Sequence, residues 1–507
     1  MATSLASPQK HSVFVKIFGG KGWNHFWKTR FLPRWLPLLL GISGGLFIGY
    51  LIGGERWYFG LPIVAVIPGF ILFNRYPFAG VLLWVLILPF VASYGNLVYY
   101  YMNKTVHRAA VPAAIIIIFL LAWFRIKEKK LVNFSWPELS MALFLGVVVV
   151  NILQTANNPK LTLVEFWDML FSPLCMYWLI RLAAPTKRDL QRFLWIALII
   201  VIFESVLGLL SWFSPGLVPD MWRTNLEGER TVGTLRNVAV YTSALLLFSL
   251  LLLQYGLYSS SRWLKISTFL VFGLALFCVF ISFSRASWVG GIFVLLALLI
   301  LHPKAMSRFI IVFGTASVIL SSTLLASEMS FAYERLTSED ARESAESRVV
   351  TNNASIEMIK HKPWLGWGFL NYDRYDRQFQ RRVGNVPVRN DGTSHNTYLT
   401  IMAELGVIAF GLYMFPVVWW LILSVKRWSR LPRDGFWSRS LVVSLWIVIL
   451  HMSIVTSAMD MIRFHYFGTT LWWMTLAFIA NLVDIPQSQN QEEIKSISYT
   501  AVSNSDV

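Results

Sequence analysis

The chain has 507 residues, of which 56% are hydrophobic and only 14% charged, with a mean hydropathy of +0.56. Soluble domains carry about 25% charged residues, and a soluble core does not hide this much apolar surface. The formal net charge of +17 invites nucleic acid as a partner, so the placement of the 44 Lys and Arg residues has to decide that question.

Windows of about 19 residues predict an all-α, polytopic integral membrane protein with about 14 transmembrane helices. A basic, aromatic segment over 1–35 comes first, without a small-residue cleavage site, so the first span is read as an anchor. Its Gly19-Gly20-Lys21-Gly22 run lacks phosphate-loop spacing. Spans follow near 36–54, 58–74, 77–95, 109–124, 136–154, 162–183, 193–213, 237–257, 264–283, 286–302 and 309–327. A large loop over 328–394 comes next, then spans near 395–424, 440–459 and 465–483. The tail 484–507 is rich in Gln, Ser and Asn and reads as a disordered cytoplasmic segment. Cys175 and Cys278 both fall in apolar stretches and offer neither a disulfide framework nor metal-ligand spacing.

With the N-terminus inside, 25 Lys and Arg fall on inner segments and 19 on outer ones, and 10 of those 19 lie in the 67-residue loop. That loop exceeds the length over which the positive-inside rule operates. The expected topology is therefore N-in and C-in, with the loop on the outer side. The basic excess is mostly a topology signal, which predicts the bilayer as partner and no nucleic acid.

On the outer face the sequence becomes unusual. Loop 214–236 carries Arg223, Arg230 and Arg236, and the turn Ser282-Phe283-Ser284-Arg285-Ala286-Ser287-Trp288 delivers one arginine at the membrane boundary. The large loop ends in Ser394-His395-Asn396, directly before a span. An arginine at a span end often snorkels to headgroups, and that reading stands beside a functional one for Arg223 and Arg236. Arg285 is harder to explain so, because its loop is almost absent and the positive-inside rule disfavours it there. A guanidinium at that depth suits an anion such as pyrophosphate, whose oxygens it binds bidentately. His395 taken alone is as readily a helix-start residue.

Within the loop, Thr337 to Asp340 has a capping-box pattern, and Val349, Ile356 and Ile359 form a weak apolar stripe. Ten acidic and ten basic residues make the loop neutral, as a folded outer subdomain with solvated charges would be. Glu204, Glu404 and His451 lie within spans, and Glu165, Asp168 and Asp460 nearer their ends. Intramembrane ionisable groups mark a proton relay in a transporter or hydrogen bonds between helices.

Four segments between Arg230 and Gly411 resemble the O-antigen ligase and O-antigen polymerase superfamily of bacterial envelope glycosyltransferases. They are Arg230-Thr-Val-Gly233-Thr-Leu, Ser284-Arg285-Ala-Ser-Trp288, Pro363-Trp-Leu-Gly366-Trp-Gly368, and His395-Asn396-Thr-Tyr-Leu399 followed by Glu404-Leu405-Gly406. Where family members often show Asn-Pro-Asn, this chain has Asn237-Val238-Ala239, which leaves open the choice between Arg230 and Arg236.

The resemblance implies a polyprenyl-pyrophosphate-linked glycan donor and an acceptor glycan or glycolipid hydroxyl, joined at the periplasmic face of the bacterial inner membrane without metal or cofactor. It makes His395 and Arg285 catalytic and gives Arg223, Arg230, Arg236, Arg348 and Asn396 roles in binding pyrophosphate or glycan. Ligase and polymerase differ only in the acceptor. A transporter of inorganic carbon or another small solute is the alternative, resting on Glu204, Glu404 and His451. A non-catalytic component of an envelope assembly is a third.

Overall fold

A computed structural model describes residues 71–73, 75–91, 106–123, 135–219, 222, 231–235, 237–323, 325–381, 394–460 and 466–484. The chain divides into Met1–Leu72 and Phe73–Val507. Of the first unit only Ile71 and Leu72 are described, both helical. The expected segment 1–35, the span 36–54, most of 58–74 and the tail beyond Asp484 lie outside the described residues.

The described residues of the second unit are mostly helical, with no strand among them. Its helices are α1 (Ala79–Val91), α2 (Val111–Trp123), α3 (Trp136–Thr155), α4 (Pro159–Ala183), α5 (Lys187–Phe213), α6 (Val238–Leu257), α7 (Arg262–Phe280), α8 (Arg285–Leu301) and α9 (Pro303–Ser322). They continue as α10 (Ala326–Thr337), α11 (Glu339–His361), α12 (Tyr372–Tyr375), α13 (Thr397–Lys426), α14 (Arg439–Thr456) and α15 (Tyr466–Val483). Among the described residues nine helices are long and apolar enough to cross a membrane, namely α3 to α7, α9 and α13 to α15. The apolar helix α8 and the segment Val111–Leu120 of α2 are shorter.

Local sequence explains where several of these begin. Ser135 caps α3 reciprocally with Glu138, and Thr186 caps α5 with Asp189. Asn237 accepts from Ala239 N and Val240 N at the start of α6. Burial then sorts the helices. In α6, 94% of the apolar window is buried and in α15 89%, against 11% in α9, so α6 and α15 form the centre and α9 an outer edge.

Several ionisable groups inside the bundle are paired, as a low-dielectric interior favours. Arg108 holds the buried Asp168 bidentately at 2.6 and 2.7 Å, across the π-helical stretch Trp167–Phe171 of α4. Arg181, itself 4% exposed, binds Glu138 at 3.3 Å and Asp484 at 2.7 Å. Tyr177 donates to the same Glu138 and accepts from Trp420 Nε1, which ties α3, α4 and α13 together.

Two local expectations for the loop are corrected. Thr337 does not begin a helix: it ends α10, with its hydroxyl donating back to Tyr333 O. The buried face of α11 is Ser347, Val350, Thr351, Ala354, Ser355 and Met358, while Val349 and Ile356 are exposed. Small polar side chains face inward here because their hydroxyls have partners. Ser355 pairs with the Tyr372 hydroxyl at 2.8 Å, and Thr351 Oγ1 donates to Ser394 O at 3.2 Å.

Candidate functional site

At one end of the bundle, the turn between α7 and α8, the start of α6 and the end of α14 meet α10 and α11. They enclose a cavity of ≈ 100 Å³. Ala239 contributes from α6, Phe283 to Ala286 from the α7–α8 turn, Arg335 from α10, Ser344 and Arg348 from α11, and Val455, Ala458 and Met459 from α14. Three guanidinium groups line this space, and among the described lining residues there is no carboxylate.

Arg285 arrives there because of an aromatic cluster. Phe283 is 2% exposed and packs on Trp212, Phe280, Trp288 and Phe331, with the Phe331 ring edge-on at 4.6 Å. Its φ of 48° lies in the left-handed region, which a bulky side chain enters only at a cost. That conformation makes the chain turn sharply, and Ser284 then caps α8 by accepting from Ser287 N. Arg285 is thus the first residue of α8, where a cation faces the positive end of its own helix. An arginine there opposes helix stability; an anion at the same place would be welcomed by both the guanidinium and the helix end. The Thr242 and Ser287 hydroxyls, 2.8 Å apart, join α6 to α8 one turn below.

Arg348 faces the same space. Burial, followed by repulsion from Arg285, holds its pKa below the usual arginine value. Arg285 repels Arg348 across this lining, and a multivalent anion would relieve that repulsion.

His395 does not line the cavity, but its segment is fixed to both of its walls. Ser394 O accepts from Thr351, three residues beyond Arg348, and Thr397 Oγ1 donates to Met459 O at 3.2 Å, a lining residue. Between them His395 sits half-buried with φ 54°. Phe283 and His395 are two of the four non-glycine residues with positive φ among the described residues, and strain of this kind gathers at functional sites. Asn396 has a structural duty, since its side-chain oxygen accepts from Tyr398 N and Leu399 N and starts α13. Arg223, Arg230 and Arg236 lie outside the described residues.

The other quoted segments prove to be architecture around this site. Gly406 interrupts α13 with φ 83° and ψ 173°, a region only glycine occupies freely. The freed groups pair with the segment 363–368: Trp367 N donates to Ala403 O at 3.0 Å, Gly368 N to Glu404 O at 2.8 Å, and Val407 N to Pro363 O at 2.8 Å. Asn151 of α3 clasps the same segment, donating to Leu365 O and accepting from Phe369 N. The glycines meet backbone to backbone: a Cβ on Gly366 would lie 2.6 Å from Leu405 N.

The intramembrane carboxylates do similar work. Glu404 accepts from Tyr372 N at 3.1 Å. Glu204, fully buried, accepts from Thr234 N at 3.0 Å and from the Thr234 hydroxyl. It therefore holds the short turn Gly233–Leu235, and Gly233 has no room for a side chain against it. His451 is buried against Gly290 of α8.

Arg335 was missed by sequence reasoning, which counted it among the loop's solvated charges. A signal was present: Phe331 and Arg335 stand four apart, adjacent on a helical face, and the guanidinium lies 5.3 Å from the Phe331 ring centroid.

Residues 270–414 match the family model described as O-antigen ligase. The match contains the segments at Ser284–Trp288, Pro363–Gly368 and His395–Gly406, and Arg230–Leu235 precedes it. No curated protein matches the chain significantly. Arg285, Arg335, Arg348 and His395 all fall within the matched span, and over residues 270–414 the chain is similar to the O-antigen ligase family.

Proposed function

We propose that the protein is a membrane glycosyltransferase that moves a glycan from a polyprenyl pyrophosphate onto an acceptor sugar hydroxyl. In this reading the chain crosses the bacterial inner membrane fourteen times, with both termini inside, and the arginine cavity opens on the periplasmic face. The observation that carries it is the cavity: three guanidinium groups and a helix N-terminus, all supplied by the segment that matches the ligase family, with no carboxylate among the described lining residues.

In the reaction, Arg285 and Arg348 bind the donor pyrophosphate and stabilise the charge that develops as it leaves. His395, whose unperturbed pKa would be about 6.5, orients the acceptor hydroxyl and takes its proton as the new glycosidic bond forms. Arg223, Arg230 and Arg236 extend the phosphate and glycan contacts, and Asn396 holds the His395 turn in place. The transporter alternative draws no support from Glu204 and Glu404, because each carboxylate is occupied by a local backbone donor and they serve different segments.

The test is reconstitution in vesicles with a polyprenyl-pyrophosphate glycan and candidate acceptors. The wild type transfers, and His395→Ala and Arg285→Ala each abolish transfer while remaining folded and inserted. Full transfer by both variants refutes the assignment. Product length separates one-step ligation from polymerisation.

A further inference from the structure

We propose that the turn Pro363-Trp364-Leu365 is seated in the bilayer interface, on the side of the membrane where α13 begins, and anchors α11 to lipid at the end opposite Arg348. The inference stands on the membrane-spanning helices and does not need the glycosyl-transfer reading.

Two spans fix the depth of this turn. From Gly406 to Lys426, α13 runs for about 30 Å at 1.5 Å per residue, which is the thickness of a hydrocarbon core. The large apolar side chains that α13 exposes begin just past the kink, at Ile408, and continue through Val418 and Ile422. Before the kink, Tyr398, Leu399, Ile401, Met402 and Leu405 are buried or half-buried. The kink therefore marks the edge of the lipid-facing belt on α13. On α3 the exposed apolar face reaches Val150 and Leu153. The turn is tied to both helices at these levels: Val407 N donates to Pro363 O at 2.8 Å, and Asn151 donates to Leu365 O at 3.0 Å.

The side chains of the turn match that depth. Trp364 is 66% exposed and Leu365 58%, although the backbone that carries them is pinned. Gly366 N donates back to Lys362 O at 3.2 Å, and Trp367 N and Gly368 N bond to α13. A rigid turn thus presents a tryptophan and a leucine outward, level with the lipid belts of both neighbouring helices. Tryptophan at the membrane–water boundary is in its preferred place, with an apolar body and a polar N–H. Lys360, His361 and Lys362 lead into the turn. Lys360 pairs with Glu357 at 2.8 Å, whereas Lys362 is exposed with its Nζ 4.1 Å from the Trp367 ring centroid. A lysine beside an interfacial aromatic lays its stem on apolar surface and its ammonium among lipid phosphates. Helix α11 ends at His361, about 20 Å along its axis from Arg348. The same helix therefore meets lipid at one end and lines the cavity with the other.

The test is spin labelling of the full-length protein in vesicles of phosphatidylethanolamine and phosphatidylglycerol, at Trp364→Cys and, separately, at Leu365→Cys. The native Cys175 and Cys278 are buried, and unsubstituted protein measures their background. Ile408→Cys is the reference for lipid, and Arg342→Cys, at a side chain 80% exposed, the reference for water. Collisions of the label with oxygen, which concentrates in lipid, are compared with those of a water-soluble nickel complex. At both turn positions the oxygen-to-nickel ratio is expected to lie several-fold above that at Arg342→Cys and close to that at Ile408→Cys. Both substitutions replace exposed side chains and report independently, so either one decides the matter where the other unfolds. Nickel access equal to that at Arg342→Cys places the turn in water and overturns the proposal. Access to neither reagent means that protein, such as a second copy of the chain, covers the turn, and overturns it equally. Lys362→Glu added to Leu365→Cys should raise nickel access by repelling the phosphates; an unchanged ratio removes the lysine from the lipid contact.

Discussion

Gly406→Ala tests the link between the backbone of α13 and the site in the most quantitative way. At φ 83° and ψ 173° an alanine pays about 1–3 kcal/mol for its conformation alone. Its methyl would also fall on the Trp364 carbonyl and within 2.7 Å of Leu365 N, and both obstacles are backbone and cannot swing aside. The segment 363–368 must then retreat, weakening three hydrogen bonds of 2.8 to 3.0 Å, each worth about 0.5–1.5 kcal/mol net. Together these terms predict a loss of about 3–7 kcal/mol. Gly411, five residues along the same helix, is the internal control, because an added Cβ there meets nothing within 4 Å. Gly411→Ala should be neutral or stabilise by about 0.5–1 kcal/mol. Thermal unfolding of the purified protein in detergent, followed by tryptophan fluorescence, compares the two. Gly406→Ala should lower Tm by on the order of 10 °C and reduce transfer, because the kink aims the turns of α13 that follow His395. Equal unfolding temperatures for Gly406→Ala, Gly411→Ala and wild type would refute the argument.

Other expectations follow from the same kind of reasoning. Glu204→Ala leaves the backbone N–H and hydroxyl of Thr234 without their buried acceptor, at about 1–3 kcal/mol for each group. Glu204→Gln, which keeps one acceptor oxygen, should be milder, and unfolding temperatures rank the two; loss of bicarbonate flux into vesicles with no loss of stability would instead revive the transporter alternative. Arg108→Ala removes the bidentate partner of the buried Asp168 carboxylate and should cost about 3 kcal/mol, since Arg108 itself remains partly exposed. Adding Asp168→Asn should restore much of that loss; a double variant no more stable than Arg108→Ala would show that the pair is not what matters.

Much of the fold could be read in advance, because membrane spans announce themselves by uninterrupted hydropathy. Lys187–Phe213, Val238–Leu257 and Arg439–Thr456 fall where the windows put them. The helices of the segment 328–394 were harder. On α11 the inward face is built from Ser347, Thr351 and Ser355 beside Val350 and Met358, so apolar periodicity alone selected the wrong side. Tertiary hydrogen bonds turned that helix, and no local pattern encodes them.

The site was legible in part. Arg285 stood out because the positive-inside rule gives no reason for a cation in so short a turn expected on the outer side, and it lines the cavity together with Arg348. Arg335 was hidden among the ten basic residues of a neutral loop, where composition cannot separate a solvated charge from a cavity wall. Glu204 and Glu404 illustrate the reverse difficulty. An intramembrane carboxylate signals function from sequence, yet here the nearest N–H groups, those of Thr234 and Tyr372, account for each. The glycines of the quoted segments have a physical reason too, since Gly366 and Gly406 let two backbones touch.

Binding of a short-chain polyprenyl pyrophosphate to the purified protein, measured at several salt concentrations for wild type and for Arg285→Ala with Arg348→Ala, tests the central claim most directly. The account predicts saturable binding that weakens with salt and falls at least about tenfold for each arginine removed, the size expected of a charge-assisted hydrogen bond. Affinity unchanged in the double variant would contradict it.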